Sequence, residues 1–285
     1  MANTLTLTNT QHLECVSLTA SAAPNTQYTI LNSNASYDRR IYGLAITTTD
    51  ANTQNIILYL NDGVGNYQVS YTPLPALSGG LGVAPLDLQG NSLIAPILGK
   101  RLDVMGVSYF NLPKGWSFRA LYTGTQLTSP ERINFISHGE LYGDVTHKYT
   151  STAFQQTATF SNATGTTEKD LLASVAYDRR VYGISAVSTD STARTLSVYL
   201  KSGINSYLLY TVSILASSGN TTSIKAYDIF SDINGYSNAY FTKKYEPDGS
   251  YYFDLPSGWS ITGAFVGSIA IGSTITIKTI GDSYE

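Results

Sequence analysis

The chain has one cysteine, Cys15, among 285 residues, so no internal disulfide can form and the fold owes nothing to oxidation. Charge is scarce as well, with only 13 % of residues being Asp, Glu, Lys or Arg. The 17 basic and 20 acidic residues leave a formal charge of −3, and a split after Asp144 gives 7 basic against 9 acidic and then 10 against 11. Neither half is basic, which argues against an electrostatic nucleic-acid binder. No run approaches the roughly eighteen apolar residues of a membrane helix. The opening residues, Met1-Ala2-Asn3-Thr4-Leu5, carry neither the early positive charge nor the apolar block of a signal peptide. Nucleic acid and membrane are therefore not expected as partners, and a single thiol suits a protein made in a reducing cytoplasm.

Catalytic signatures are missing too. There is no glycine-rich phosphate cradle, no Gly-x-Ser-x-Gly elbow and no His-Glu-x-x-His helix. His12, His138 and His147 lack the short spacings of a zinc site. Glu168-Lys169-Asp170 comes nearest to the paired carboxylates of a sandwich-fold glycosidase, but Leu-Leu-Ala follows where a third acid would stand. The expectation is a non-enzymatic protein with no catalytic residues, no cofactor and no metal.

What the chain does have is a repeat. Tyr37-Asp38-Arg39-Arg40-Ile41-Tyr42-Gly43 returns as Tyr177-Asp178-Arg179-Arg180-Val181-Tyr182-Gly183, an offset of 177 − 37 = 140 that holds as far as Asp50 and Asp190. The same offset pairs Gly63 with Gly203 and Tyr67 with Tyr207. Further on, Tyr109-Phe110-Asn111-Leu112-Pro113-Lys114-Gly115-Trp116-Ser117 returns as Tyr252-Phe253-Asp254-Leu255-Pro256-Ser257-Gly258-Trp259-Ser260, now at 252 − 109 = 143, so three residues entered a loop of the second copy. Both copies close on an acidic residue and a tyrosine, Glu140 with Tyr142 and Asp282 with Tyr284. A copy of about 140 residues is too long for a solenoid unit and suits an independent domain. Two tandem domains follow, 1–145 and 146–285, with a short, stiff join.

Within each copy the apolar residues recur with period two: Ile56, Leu58 and Leu60, then Leu196, Val198 and Leu200, then Ile275 and Ile277. That is the pattern of half-buried strands. Gly63 and Gly203 stand where a hairpin needs positive φ, and Leu-Pro-x-Gly at 112–115 and 255–258 reads as a type I turn. The fold class is all-β: two antiparallel β-sandwich, jelly-roll-like domains related by internal duplication. The least patterned stretches, 73–107 and 215–249, read as excursion loops.

Three groups of residues are candidates for a role. Asp38, Arg39 and Arg40, with Asp178, Arg179 and Arg180, could hold an anion, but they read better as structural ion pairs pinning a turn. Trp116 and Trp259, beside Pro113 and Gly115 and beside Pro256 and Gly258, read as core plugs behind a turn rather than as sugar platforms. Tyr227, Tyr236, Tyr240, Tyr245 and Tyr251, with Tyr252, crowd the second excursion, whose first-copy counterpart holds the single Tyr109. Two readings stand side by side for them: an interface, which tyrosine favours, or cover for sheet faces.

The order of these pieces, from Arg-Arg-hydrophobic-Tyr-Gly through the glycine hairpin to Leu-Pro-x-Gly-Trp-Ser and the closing tyrosine, resembles small β-sandwich structural proteins of tailed bacteriophage virions, often capsid decoration or cement proteins. The resemblance spans 37–142 and 177–284. It implies a virion protein assembled in the host bacterial cytoplasm, binding the major capsid protein or other virion proteins and, in some cases, further copies of itself. The alternatives are a phage tail, fibre or adhesin component binding host glycan, or a carbohydrate-binding module.

Overall fold

Alternation along the strands sets the layers. In the computed structural model the described residues are 4–7, 10–80, 83–88, 101–102, 108–142, 147–220, 224–230, 244–245 and 251–284. They fall into two compact units, one formed by the described residues between Thr6 and His147 and the other by those beyond it together with the start of the chain.

The first unit has a sheet of β2 (Thr10–Leu18), β11 (Ile133–Tyr142), β4 (Asp38–Thr48), β9 (Ser108–Leu112) and β8 (Arg101–Leu102), in that order, with β7 (Leu86–Asp87) also on β4. Its second sheet runs β3 (Tyr28–Leu31), β10 (Ser117–Thr123), β5 (Gln54–Asn61), β6 (Asn66–Leu74). In β5 buried and half-buried residues alternate, so Ile56 and Leu58 enter the core while Ile57 and Tyr59 face outward. They meet Leu44, Ile46 and Phe135 of the other sheet, and Phe110 and Phe118 pack edge to face at 5.5 Å.

The second unit repeats this order. One sheet runs β12 (His147–Ser161), β21 (Thr274–Tyr284), β14 (Asp178–Ser188), β19 (Tyr251–Leu255), β18 (Lys244–Tyr245), with β17 (Tyr227–Asp228) on β14 and the N-terminal β1 (Thr4–Leu7) added beside β12. The other runs β13 (Lys169–Leu172), β20 (Trp259–Phe265), β15 (Arg194–Ser202), β16 (Asn205–Ile214). Here Phe160 and Phe265 make the edge-to-face contact between sheets, at 5.1 Å. The fold is all-β: four antiparallel sheets pair into two jelly-roll-like sandwiches.

A bulge recurs in both units. Along β4 and β11, His138 pairs with Gly43 and Gly139 with Ile41, which leaves Tyr42 as the extra residue; Tyr182 is skipped likewise between Val181 and Gly183. A side chain at Gly139 would collide with the Arg40 carbonyl oxygen, and one at Gly281 with that of Arg180. Glycine lets the strands close at this point, and the bulge re-aims the tyrosine.

The 112–115 and 255–258 turns differ from the expected frame. Trp116 N donates to Pro113 O at 3.0 Å and Trp259 N to Pro256 O at 3.2 Å. The prolines therefore open the turns, and Gly115 (φ 82) and Gly258 (φ 78) hold the third position. Positive φ there makes these type II turns, and it explains the glycines.

Candidate functional site

The two Tyr-Asp-Arg-Arg motifs place three charged side chains in three directions. Asp38 Oδ1 accepts the backbone N–H of Lys114, and Asp178 Oδ1 that of Ser257, both at 2.8 Å. The carboxylate thus fastens the strand start to the proline turn. Arg39 and Arg179 turn inward, each 3 % exposed, and donate to the carbonyls of Trp116 (3.2 Å) and Trp259 (3.1 Å). Arg39 also bonds the Asn32 carbonyl and lies 3.7 Å from Glu14 Oε2. In the second unit the inward guanidinium instead covers the ring of Phe154, 5.8 Å from its centroid. Burial lowers the pKa of both arginines, that of Arg179 to about 10, and the Glu14 carboxylate opposes the shift at Arg39.

Arg40 and Arg180 turn the other way and lie between two strands. Arg40 stands opposite Glu140 on one side and Asn111 on the other; Arg180 stands between Asp282 and Asp254. Arg40 Nη1 is 3.4 Å from Glu140 Oε1, which also accepts the Tyr42 hydroxyl at 2.7 Å. Arg180 Nε instead donates to Asp254 Oδ1 at 3.1 Å, with its guanidinium 3.6 Å over the Tyr252 ring. Burial is the largest influence and works against both charges, but the facing carboxylate and the neighbouring tyrosines together outweigh it, so both guanidiniums titrate above their ordinary value. Each motif holds its own unit together.

The strand-pair ends beside these motifs are more open. Trp116 and Trp259 are half-buried, and Trp116 packs against the core of its unit. Trp116 stacks on Tyr67 at 6.4 Å with 22° between the rings, and Trp259 lies against Tyr207 at 6.1 Å. Tyr67 is 52 % exposed and Tyr207 is buried. Next to each aromatic pair a hairpin tip projects: Val64 and Ile204, at the 140 offset, are both 96 % exposed. The sequence carried a signal for them, a β-branched residue after each hairpin glycine, although the turn reading weighed only the glycine.

The tyrosines of the second excursion lie apart from this end in the pairing scheme. Tyr227 is half-buried in β17, opposite Ala186; Tyr245 and Tyr251 pair across β18 and β19; Tyr252 is buried beside Arg180. Tyr236 and Tyr240 lie outside the described residues. Glu168 accepts from Lys201 Nζ at 3.0 Å and from Ser206 Oγ at 3.3 Å, and so braces the second hairpin. Among the described residues no three His, Cys, Asp or Glu side chains stand close enough to hold a metal ion.

No protein-family model and no curated protein matches the chain. Among solved structures it overlaps the major capsid protein P2 from bacteriophage PM2 at 12 % identity and a TM-score of 0.27, covering 96 % of this chain and 98 % of that one. It overlaps the PBSX exported protein XepA at 8 % identity and a TM-score of 0.22, covering 99 % of this chain and 85 % of that one. Overlaps at these TM-scores do not define a shared fold, and the functional reading rests on the chain's own geometry.

Proposed function

We propose that this chain is a non-enzymatic structural component of a bacteriophage virion, a decoration or cement protein that docks on the lattice of the major capsid protein. One observation carries the reading. The charged residues repeated in both copies are engaged in fastening their own unit, at Lys114 and Trp116 in one and at Ser257 and Trp259 in the other. The chain is thereby two rigid, sparsely charged modules of the same build. Two like modules on one chain suit a partner that presents the same surface many times, because the second contact forms at high effective concentration and raises avidity by on the order of 10²–10⁴-fold. Stapling neighbouring subunits, rather than turnover, is the mechanism.

The test is co-sedimentation of the purified chain with particles assembled from the major capsid protein of the same phage genome. Saturable binding in fixed ratio to the capsid subunit supports the reading; a chain left in the supernatant at every concentration overturns it.

A second reading, a glycan-binding tail component, has one observation in its favour: the stacked Tyr67–Trp116 pair, whose tyrosine is half open to solvent. Binding on a glycan array that is lost in Tyr67→Ala would favour it over the lattice.

A further inference from the structure

The hairpin tips break a local rule in both copies. Gly63 (φ 91) and Gly203 (φ 58) occupy the first central position of the β5–β6 and β15–β16 turns, as a tight hairpin requires. The next position ordinarily goes to a small polar residue. Here it holds Val64 and Ile204, each 96 % exposed, which contribute no packing to their own unit. A single exposed aliphatic is unremarked on any surface. Two at matched positions, in copies whose hairpins otherwise differ as Asn61-Asp62-Gly63-Val64-Gly65-Asn66 and Lys201-Ser202-Gly203-Ile204-Asn205-Ser206, call for a use outside the unit.

The tips are also held stiff. Asp62 Oδ1 accepts the N–H groups of Val64 (2.9 Å) and Gly65 (2.8 Å), Asp62 Oδ2 accepts the Tyr67 hydroxyl at 3.0 Å, and Asn61 Nδ2 bonds both Gly65 O and Asn66 Oδ1. Tyr67 in turn stacks on Trp116. In the second unit Glu168 ties Lys201 and Ser206 on either side of the tip, and Tyr207 packs on Trp259. A tip ordered before binding loses little entropy on docking.

We infer that Val64 and Ile204 are paired docking knobs, each seating in an apolar socket on a protein lattice that repeats the socket from subunit to subunit. The inference rests on the lattice reading and deepens it. Magnitude selects the occupant. Burying one Val or Ile side chain is worth roughly ten- to a hundredfold in binding, too little to hold a monovalent partner. Two knobs on one chain reach useful affinity only where sockets recur, which a lattice supplies and a soluble single-site partner does not. A lipid surface fits poorly: Asp62 stands at the first tip, Lys201 beside the second is paired with Glu168, and neither tip shows a basic cluster among the described residues.

The experiment measures binding of the full chain to the particles described above, for the wild type, Val64→Asp, Ile204→Asp and the double variant. Circular dichroism and melting curves check that each is folded, as side chains of 96 % exposure require. The expected result is a loss of about tenfold or more for each single variant and a larger loss for the double variant. Wild-type binding that the double variant retains overturns the knobs and leaves the lattice reading standing. Loss in only one single variant, or a double no weaker than the singles, overturns the paired arrangement. A wild type that does not bind overturns both readings. Self-association of the chain in sedimentation velocity, or flotation with phosphatidylglycerol vesicles, that vanishes in the double variant would assign the tips to a different occupant and overturn the inference.

Discussion

Arg180 donates to Asp254 across one edge of its strand, whereas Arg40, its counterpart, pairs with Glu140 across the opposite edge. The two arginines occupy the same position between two neighbouring strands, so the choice of partner depends on what stands opposite. Asn111 in the first unit becomes Asp254 in the second, and Glu140 becomes the shorter Asp282. An acid stands on the first side in both units, but in the second unit the arginine turns to the acid gained on the other side, as cross-strand pairing permits.

Asp254→Asn should therefore destabilise the second unit by about 3 kcal/mol, the low end for breaking a buried ion pair, because Asp282 still stands opposite Arg180. Urea unfolding reads the change. A loss under about 1 kcal/mol would mean the pair contributes no more than a surface contact does.

Tyr42→Phe removes a buried 2.7 Å hydrogen bond to Glu140. A hydrogen bond to a charged group contributes about 1.5–3 kcal/mol, and the variant should lose stability in that range. A loss below about 0.5 kcal/mol in denaturant titration would contradict the geometry.

His12 should govern an acid transition of the first unit. Its Nε2 is buried without a hydrogen-bond partner, and burial, with the Arg39 charge, lowers its pKa from 6.5 to about 4. It is neutral at neutral pH, so its 3.9 Å approach to Glu14 is not an ion pair there. A depressed pKa means the unfolded chain takes up the proton first. The stabilisation is fully present above about pH 6.5 and is lost as pH falls towards 4, a change of roughly 3 kcal/mol. Phe154 occupies the matched place in the second unit, opposite Gly281 as His12 is opposite Gly139. His12→Phe should flatten the stability profile between pH 6.5 and 4; an unchanged slope would assign it to other groups.

Gly139→Ala and Gly281→Ala should each cost more than about 3 kcal/mol, since the added carbon meets backbone carbonyls that cannot move without opening the bulge. Gly115→Ala, in open space at φ 82, should cost only about 1 kcal/mol of backbone strain. Melting temperatures of the three variants test the ranking.

The strands were legible because alternation and hairpin glycines are local: Ile56, Leu58 and Gly63 announce β5 and its turn without reference to anything distant. The frame of the proline turn was not, since Leu-Pro-Lys-Gly satisfies two turn types and the Trp116 N–H decides between them. Nor were the partners of the arginines. Glu14 and Glu140 reach Arg39 and Arg40 through strand register, and register is set by the whole sheet and by the bulge at Tyr42. The match of His12 with Phe154 is hidden for the same reason, because the offset there is 154 − 12 = 142 and not the 140 of the Tyr-Asp-Arg-Arg motif.

The most direct test of the account is quantitative mass spectrometry of purified virions of the phage to which the account assigns this chain. The account predicts the chain in fixed stoichiometric ratio to the major capsid protein, undiminished by salt washes that strip loosely held proteins. Virions that contain the capsid protein but lack this chain would contradict it.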